Sequence, residues 1–377
     1  MAEVLMLHVG APKTGTTYLQ QVIWGNRASL ESQGVFSPFR RPRKILSAAA
    51  DVRGTAWGSD LDLATGAELA EAINKVQGTC LISQELFCAS PPDRIGKFLA
   101  AIDPATDVHV IYATRDPGRQ VPAMWQHAVR ARGAESLEAF LERIQTDPEA
   151  SYWQDQSSVK ALDRWGRFVD RGRFHLLTVP AQSADPAVLW SRFAGIVGID
   201  PASVDLPSGR ENVSLGLVET ELLRRLNERL GPRFPMRRRY IVSVHRTVIL
   251  PALATSPDRD PIAIPPDRAP WFAARAGADV AELTERREEY DLVGDLAELV
   301  IPVVAAAADA PDLTDDGMLL DAALKAWIRQ LEGFEALAAV EREHLRDEEV
   351  DGYRPAPANA PTGLVAGLRR RIRGQGR

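Results

Sequence analysis

The chain has 377 residues, of which 45% are hydrophobic, so it can bury a full α/β core and a helical addition. Its 45 basic and 51 acidic residues give a net charge of −6, which excludes an overall positive field for binding nucleic acid. Two cysteines, Cys80 and Cys88, are too few for a disulfide framework, and no spacing of cysteine and histidine matches a structural zinc site. We therefore expect a reducing compartment, no metal, and local binding of any anion.

The chain begins with a short apolar run, Val4 to Leu7, which lacks both a basic leader and a cleavage site. No stretch approaches the ~20 uninterrupted apolar residues of a membrane span. These features predict a cytoplasmic protein with no transmembrane segment.

Short apolar runs alternate with helical periodicity in the first half of the chain. The helical patterns cover Thr17–Trp24 and Leu137–Ile144, where apolar residues share one face. This alternation predicts an α/β fold with a doubly wound central parallel sheet flanked by helices. The apolar runs that we expect to form buried strands are Val4–Val9, Thr79–Ser83, Val108–Thr114 and Phe174–Val179.

The second half of the chain has a different composition. Prolines between residues 231 and 270 break every periodicity and accompany three consecutive arginines, which predicts a Pro/Arg-rich insertion or lid. We expect a catalytic domain over 1–305, closed by a strand or turn at Tyr290–Asp295, and a helical extension over 306–350. The Pro, Ala and Gly-rich tail at 351–377 is expected to be disordered, and its arginines could make weak peripheral contact with an anionic membrane.

The clearest motif is a glycine turn between the first strand and the first helix, with the sequence His-Val-Gly-Ala-Pro-Lys-Thr-Gly-Thr-Thr at 8–17. Small residues let backbone amides converge on an anion, and a helix N-terminus adds partial positive charge. We predict a phosphate cradle. Its residues are Lys13, Thr14, Gly15, Thr16 and Thr17.

The lysine of this turn is misplaced for a nucleotide triphosphatase. A Walker loop has the lysine directly after its last glycine, whereas Lys13 precedes Gly15 by two residues. A cation at this earlier position suits the bridging oxygen of a phosphosulfate, where charge accumulates as the sulfur–oxygen bond breaks. Such a donor has no γ-phosphate that a metal must clamp.

The run Pro-Lys-Thr-Gly-Thr-Thr after a strand resembles the 5'-phosphosulfate loop of the sulfotransferases that use 3'-phosphoadenosine 5'-phosphosulfate (PAPS). The resemblance implies a P-loop-like fold and transfer of a sulfonate group from PAPS to a hydroxyl or amine, with Lys13 both catalytic and donor-binding. The acceptor, whether a small molecule, glycan or lipid, is not encoded in any motif.

The same resemblance implies a second cationic site, for the 3'-phosphate of the donor. The family has an arginine at the end of a strand, which Arg115 matches, and a serine eight residues later, where this chain has Ala123. Gln120, Gln126 or a water could replace that serine. Guanidinium suits a phosphate because it can donate two parallel hydrogen bonds. The alternative is that Arg115 only pairs with Asp116 or another neighbour at the start of the next helix.

A later segment, Arg210 to Gly216, is similar to the basic loop that many members fold over the adenosine. By that resemblance Arg210 would meet the 3'-phosphate, and Asn212 or Ser214 would add donors. Alternatively, Asn212 or Ser214 caps the following helix.

Transfer to a hydroxyl needs a general base, and family members have His or Glu shortly after the middle strand. Glu85 follows the predicted strand Thr79–Ser83 and is the candidate, with a structural ion pair as the alternative. The other candidates for this role are His8, His109 and His127.

Two competing functions remain open from the sequence. One is a catalytically inactive relative that binds PAPS or its product, which the alanine at position 123 keeps open. The other is a P-loop nucleotide kinase, which would need a lysine followed by Ser or Thr after the last glycine.

Overall fold

The structure is a computed structural model. It describes residues 2–55, 63–181, 184, 185, 187–207, 214–230, 240, 244, 249, 253, 260–300, 316–323, 325–327 and 329. Arg210, Asn212, most of the 231–270 segment, most of the 306–350 extension and the 351–377 tail lie outside the described residues.

Six parallel strands form one sheet in the order β2-β3-β1-β4-β5-β6. The four strands predicted from the sequence are confirmed, with bounds that differ by at most two residues, and they form the centre of the sheet. The predicted strand or turn near Tyr290 is the edge strand β6. The strands are β1 Ala2–Gly10, β2 Val35–Phe36, β3 Gly78–Ser83, β4 Asp107–Thr114, β5 Phe174–Thr178 and β6 Asp291–Val293.

Helices connect the strands and cover the sheet, as the predicted α/β class requires. Short 3₁₀ turns follow several elements, and the one at Glu85–Phe87 directly follows β3. The helices are α1 Thr16–Gly25, α2 Arg27–Ser32, α3 Pro42–Arg53, α4 Gly66–Asn74, α5 Pro92–Leu99, α6 Pro117–Arg130, α7 Leu137–Thr146, α8 Ser151–Gln156, α9 Ser158–Trp165, α10 Ala187–Val197, α11 Leu217–Leu230 and α12 Ala269–Glu285.

Both faces of the sheet are buried, which explains why its strands are almost continuously apolar. Successive residues of β1 point to opposite faces. Leu5 and Leu7 lie in a core with α3, α4, α5, α9 and α12, whereas Met6 lies in a core with α1, α2 and α10. The carboxyl ends of the strands therefore open between two helical layers, where α/β proteins bind ligands.

A third apolar cluster joins α6, α7, α8 and α11 away from the sheet. Five described residues of the proline-rich segment are buried within it, namely Tyr240, Val244, Ile249, Leu253 and Ile264. The buried side chain of Asn227 on α11 donates to the carbonyl oxygens of Val129 and Gly133, both at 2.8 Å, and accepts from the Tyr240 hydroxyl at 2.5 Å. The buried described residues of this segment thus belong to the helical cluster.

We predict that Tyr240→Phe lowers the free energy of unfolding by about 1–2 kcal/mol, because it leaves the buried Asn227 Oδ1 without a donor. The matched control is Tyr18→Phe. The Tyr18 hydroxyl is buried without a partner in the described structure, so its removal should be neutral or slightly stabilising. Urea denaturation measures both changes, and equal effects of the two substitutions would contradict the role of the Asn227–Tyr240 contact.

Candidate functional site

The glycine turn leaves the carboxyl end of β1 and enters α1, and two of its glycines have backbone conformations that other residues rarely adopt. Gly10 has φ 136° and Gly15 has φ 86°. A Cβ atom at Gly15 would lie 2.5 Å from Leu189 Cδ2, and one at Gly10 would lie 3.0 Å from Cys88 Cβ. Both space and conformation therefore require glycine, so the shape of the turn is tightly determined.

Two of the predicted phosphate ligands bind the turn itself. Thr14 and Thr16 are buried, and their hydroxyls donate to the carbonyl oxygen of Ala11 at 2.6 Å and 3.2 Å. The Ala11 N–H in turn donates to the Ala113 carbonyl of β4 at 2.9 Å. These two hydroxyls therefore hold the turn against the sheet. The third threonine, Thr17, is exposed at the start of α1.

Side chains from the following helices bind the next two carbonyls of the turn. Gln120 and Gln156 donate to the Pro12 carbonyl oxygen at 2.6 Å and 3.3 Å. Arg115 donates from Nη1 to the Lys13 carbonyl oxygen at 3.0 Å. The carbonyls of three successive residues are thus all bound from the protein side.

The backbone N–H groups on the other side of the turn are available to a ligand. Among the described residues, nothing accepts a hydrogen bond from the N–H groups of Lys13, Gly15, Thr16 or Thr17, and Gly15 provides no side-chain cap for α1. The first N–H groups of a helix have no acceptor within the helix and carry its positive partial charge. This arrangement is suited to an oxyanion.

Lys13 is at the tip of the turn, with φ 66°. Burial lowers the pKa of its ammonium group, the positive charge of Arg130 lowers it further, and the carboxylate of Glu85 acts in the opposite direction. Lys13 and Arg130 make no hydrogen bond and no ion pair with any described residue. Two partly buried cations therefore lie near one another, and Glu85 is the one described carboxylate that acts on Lys13.

Arg115 extends from the end of β4 beneath the turn. Burial is the main reason that the pKa of its guanidinium falls to about 10, and neighbouring Arg119 contributes. Its Nε is buried without a hydrogen bond among the described residues. The charge of Asp116 opposes this fall in pKa, although Asp116 makes its ion pair with Arg119 and not with Arg115.

The two glutamines that could replace the missing serine at position 123 are both engaged with backbone carbonyls. Gln120 binds Pro12, as described above, and Gln126 donates to the Leu215 carbonyl oxygen at 2.7 Å. Ser214 is exposed three residues before α11, and Arg210 and Asn212 lie outside the described residues. The structure therefore brings Lys13, Arg115 and Gln120 together.

Glu85 begins the 3₁₀ turn after β3, on the other side of the cleft from α6. Gln20 of α1 donates to Glu85 Oε2 at 3.2 Å and to the Ser83 carbonyl oxygen at 3.0 Å. No described cation forms an ion pair with Glu85, so the structural alternative has no support here. Its second carboxylate oxygen is not engaged by a described residue.

The three histidines considered as bases lie in different environments. His8 is fully buried beneath the turn, and its Nδ1 lies 2.8 Å from Ser83 Oγ. It therefore cannot reach an acceptor substrate. His109 lies five residues before the end of β4 and contacts His175 at 2.9 Å. His127 is exposed on α6, on the helix face that also carries Ala123 and Arg130.

Sequence reasoning missed Arg130 and Gln156. The spacing of Gln120, Ala123, His127 and Arg130 places all four on one face of α6, so Arg130 could have been found from that pattern. Nothing in the sequence near Gln156 indicates a contact with Pro12, since 144 residues separate them.

Comparison of the chain with protein-family models, with curated proteins and with solved structures finds no match in any of the three. Among the described residues, no three or more His, Cys, Asp or Glu side chains are grouped so that they could hold a metal ion. None of the helices in the described ranges combines the length and apolar character that a bilayer crossing needs.

We predict that acidification destabilises the protein through His8. Burial lowers the pKa of His8 to about 4, only partly opposed by a hydrogen bond with the backbone of Gly10, whereas the unfolded value is 6.5. Between these values the unfolded chain binds the extra proton. Stability present above pH 6.5 is therefore lost as the pH falls toward 4, by about 2–3 kcal/mol.

The variant His8→Asn keeps a polar partner for Ser83 but cannot titrate. Its free energy of unfolding, measured in urea at pH 7 and pH 4.5, should fall less with acidification than that of the wild type. Identical slopes for the wild type and His8→Asn would contradict the assignment.

Proposed function

We propose that this protein is a sulfotransferase that transfers the sulfonate group of PAPS to a hydroxyl or amine of an acceptor. The observation that carries the proposal is the turn at residues 10–17. Its carbonyls are bound from behind, its outward N–H groups have no acceptor among the described residues, and Lys13 at its tip has no described partner. The turn therefore offers several N–H donors and the Lys13 ammonium group to an anionic group that approaches α1.

In this proposal the 5'-phosphosulfate binds the N–H groups from Lys13 to Thr17, and the Thr17 hydroxyl adds a donor. Thr14 and Thr16 support the shape of the turn from within. Arg115 binds the 3'-phosphate through Nη2, because Nη1 is bonded to Lys13 and Nε is buried. Arg210 and Ser214, taken from the resemblance, would complete the 3'-phosphate site.

The reaction forms one bond and breaks one. The acceptor oxygen attacks the sulfur, the bond between sulfur and the bridging oxygen breaks, and its electron pair leaves with adenosine 3',5'-bisphosphate (PAP). The Lys13 ammonium stabilises the charge that develops on the bridging oxygen. The acceptor proton passes to Glu85, whose Oε2 is oriented by Gln20.

The kinase alternative has less support. A P-loop kinase uses a Ser or Thr hydroxyl at the start of its first helix to hold Mg²⁺. Thr17 takes the position of that hydroxyl, but Thr16 takes the position of the lysine that a kinase needs after its last glycine. The Thr16 side chain is uncharged, buried and bonded to Ala11, so it cannot replace that lysine.

Donor binding tests the proposal. We expect calorimetry without Mg²⁺ to detect PAP at submicromolar to micromolar dissociation constants, and to find clearly weaker binding of ATP with Mg²⁺. Arg115→Ala should weaken PAP far more than 5'-AMP, which lacks the 3'-phosphate. Tighter binding of ATP with Mg²⁺ would overturn the proposal in favour of a kinase, and tight PAP binding without any turnover of PAPS would identify an inactive relative.

We further predict that Glu85→Gln keeps PAP affinity and thermal stability but loses at least ~10² in turnover, because the amide cannot accept the acceptor proton. Release of PAP from PAPS, measured over a panel of alcohols and phenols, gives the rate. The control is Glu285→Gln, an exposed carboxylate at the end of α12, which should leave turnover unchanged. Turnover within a few-fold of wild type for Glu85→Gln would transfer the role of base to His127.

A further inference from the structure

The cleft beside Lys13 contains a second cation that the proposed donor does not use. Arg130 ends α6, is partly buried, and has no hydrogen bond or ion pair with a described residue. We propose that Arg130 selects acceptors that carry an anionic group, a carboxylate, phosphate ester or sulfate ester, close to the hydroxyl or amine that receives the sulfonate. This inference rests on the proposed function.

The geometry of α6 directs Arg130 toward the transfer site. Gln120, in the first turns of this helix, binds the Pro12 carbonyl, so α6 begins against the glycine turn. Ala123, His127 and Arg130 follow on the same face at spacings of four and three residues. Helical side chains tilt toward the N-terminus of their helix, so the long Arg130 side chain reaches back along this face toward Lys13.

Arg130 lies at the opposite end of α6 from the expected donor contacts. Arg115 immediately precedes the helix, and the N–H groups of the glycine turn lie beside its first turn. Ten residues, or about 15 Å of helix axis, separate Gln120 from Arg130. Both phosphate sites of PAPS are therefore at the start of α6, and the side of the cleft near Arg130 is left for the acceptor.

Among the described residues, positive charge exceeds negative charge around Lys13. Lys13 and Arg130 are close enough for the charge of one to act on the other, and Glu85 is the one described carboxylate that acts on Lys13. A cation in the last turn of α6 interacts favourably with the helix dipole, but repulsion between Arg130 and Lys13 opposes this gain. An anionic group of the acceptor, close to its reacting hydroxyl, would neutralise the charge of Arg130. Arginine binds carboxylates and phosphates in this way.

Removal of Arg130 should leave the fold intact, because it relieves repulsion, breaks no described contact and loses only a small interaction with the dipole of α6. Arg130→Gln should therefore unfold within a few degrees of the wild-type temperature. It should also raise the pKa of Lys13, which the Arg130 charge lowers. The loss of turnover at alkaline pH, where Lys13 loses its proton, should move to higher pH. A merely structural arginine would instead lower stability and leave this profile in place.

Matched acceptors test the selection. For 4-hydroxybenzoate and its methyl ester, and for methyl glucuronide and methyl glucoside, we expect wild type to prefer the anionic member. Arg130→Gln should raise the KM of the anionic member at least tenfold, with kcat and the KM of the neutral member within twofold. Arg130→Glu should reverse the preference toward the cationic phenol tyramine. The control, Arg229→Gln, removes one exposed positive charge from nearby α11 and should change none of these values.

Binding measurements separate failure of this inference from failure of the proposed function. PAP should bind wild type and Arg130→Gln with equal affinity, and 4-hydroxybenzoate should bind the wild-type PAP complex at least tenfold more tightly than the variant complex. If PAP does not bind wild type, the proposed function fails and this inference with it. If PAP binds but the anionic and neutral probes respond equally to Arg130→Gln, or if the variant loses PAP itself, only the inference is overturned.

Discussion

The carbonyl oxygens of the glycine turn are bound from the protein side, and the candidate site depends on this constraint. The oxygens of Ala11, Pro12 and Lys13 accept from two threonines within the turn, from Gln120 and Gln156, and from Arg115. A peptide unit directs its C=O and its N–H to opposite sides, and a buried polar group needs a partner. Fixing the Pro12 and Lys13 oxygens inward therefore directs the N–H groups of Lys13 and Thr14 outward, where an oxyanion can reach them.

This constraint joins parts of the chain that are distant in sequence. The Ala11 N–H donates a hydrogen bond to the Ala113 carbonyl of β4, so the pairing of β1 with β4 fixes the position of the turn relative to the sheet. Gln156 ends α8, whose aromatic residues are buried in the helical cluster with α6, α7 and α11. The cluster thus supports the turn as well as covering it. Loss of packing in this cluster, for example around Tyr240, would weaken the hydrogen bond from Gln156 to the Pro12 carbonyl.

The sequence predicted the centre of the fold because the buried strands of a parallel sheet are continuous apolar runs. It missed the two-residue edge strand β2, Val35–Phe36, which is too short to produce a pattern. The motif located the turn but not the direction of its hydroxyls. The Thr14 and Thr16 hydroxyls bind Ala11, because local hydrogen bonds from threonine to backbone compete with any ligand, so only the backbone N–H groups of these two residues can still bind phosphate as predicted. Contacts such as Gln156 to Pro12 depend on tertiary packing, which no local pattern reports.

Arg115 links the two sites that we propose for the phosphates of the donor. Its guanidinium remains charged at neutral pH even though burial lowers its pKa to about 10, and Asp116, whose charge opposes that shift, forms its ion pair with Arg119. A buried charge is costly without a counter-charge. A 3'-phosphate at Nη2 would provide one, while Nη1 continues to hold the Lys13 carbonyl. The same side chain would then bind one end of the donor and fix the turn that binds the other, so occupancy of the 3'-phosphate site would strengthen the contact that orients Lys13.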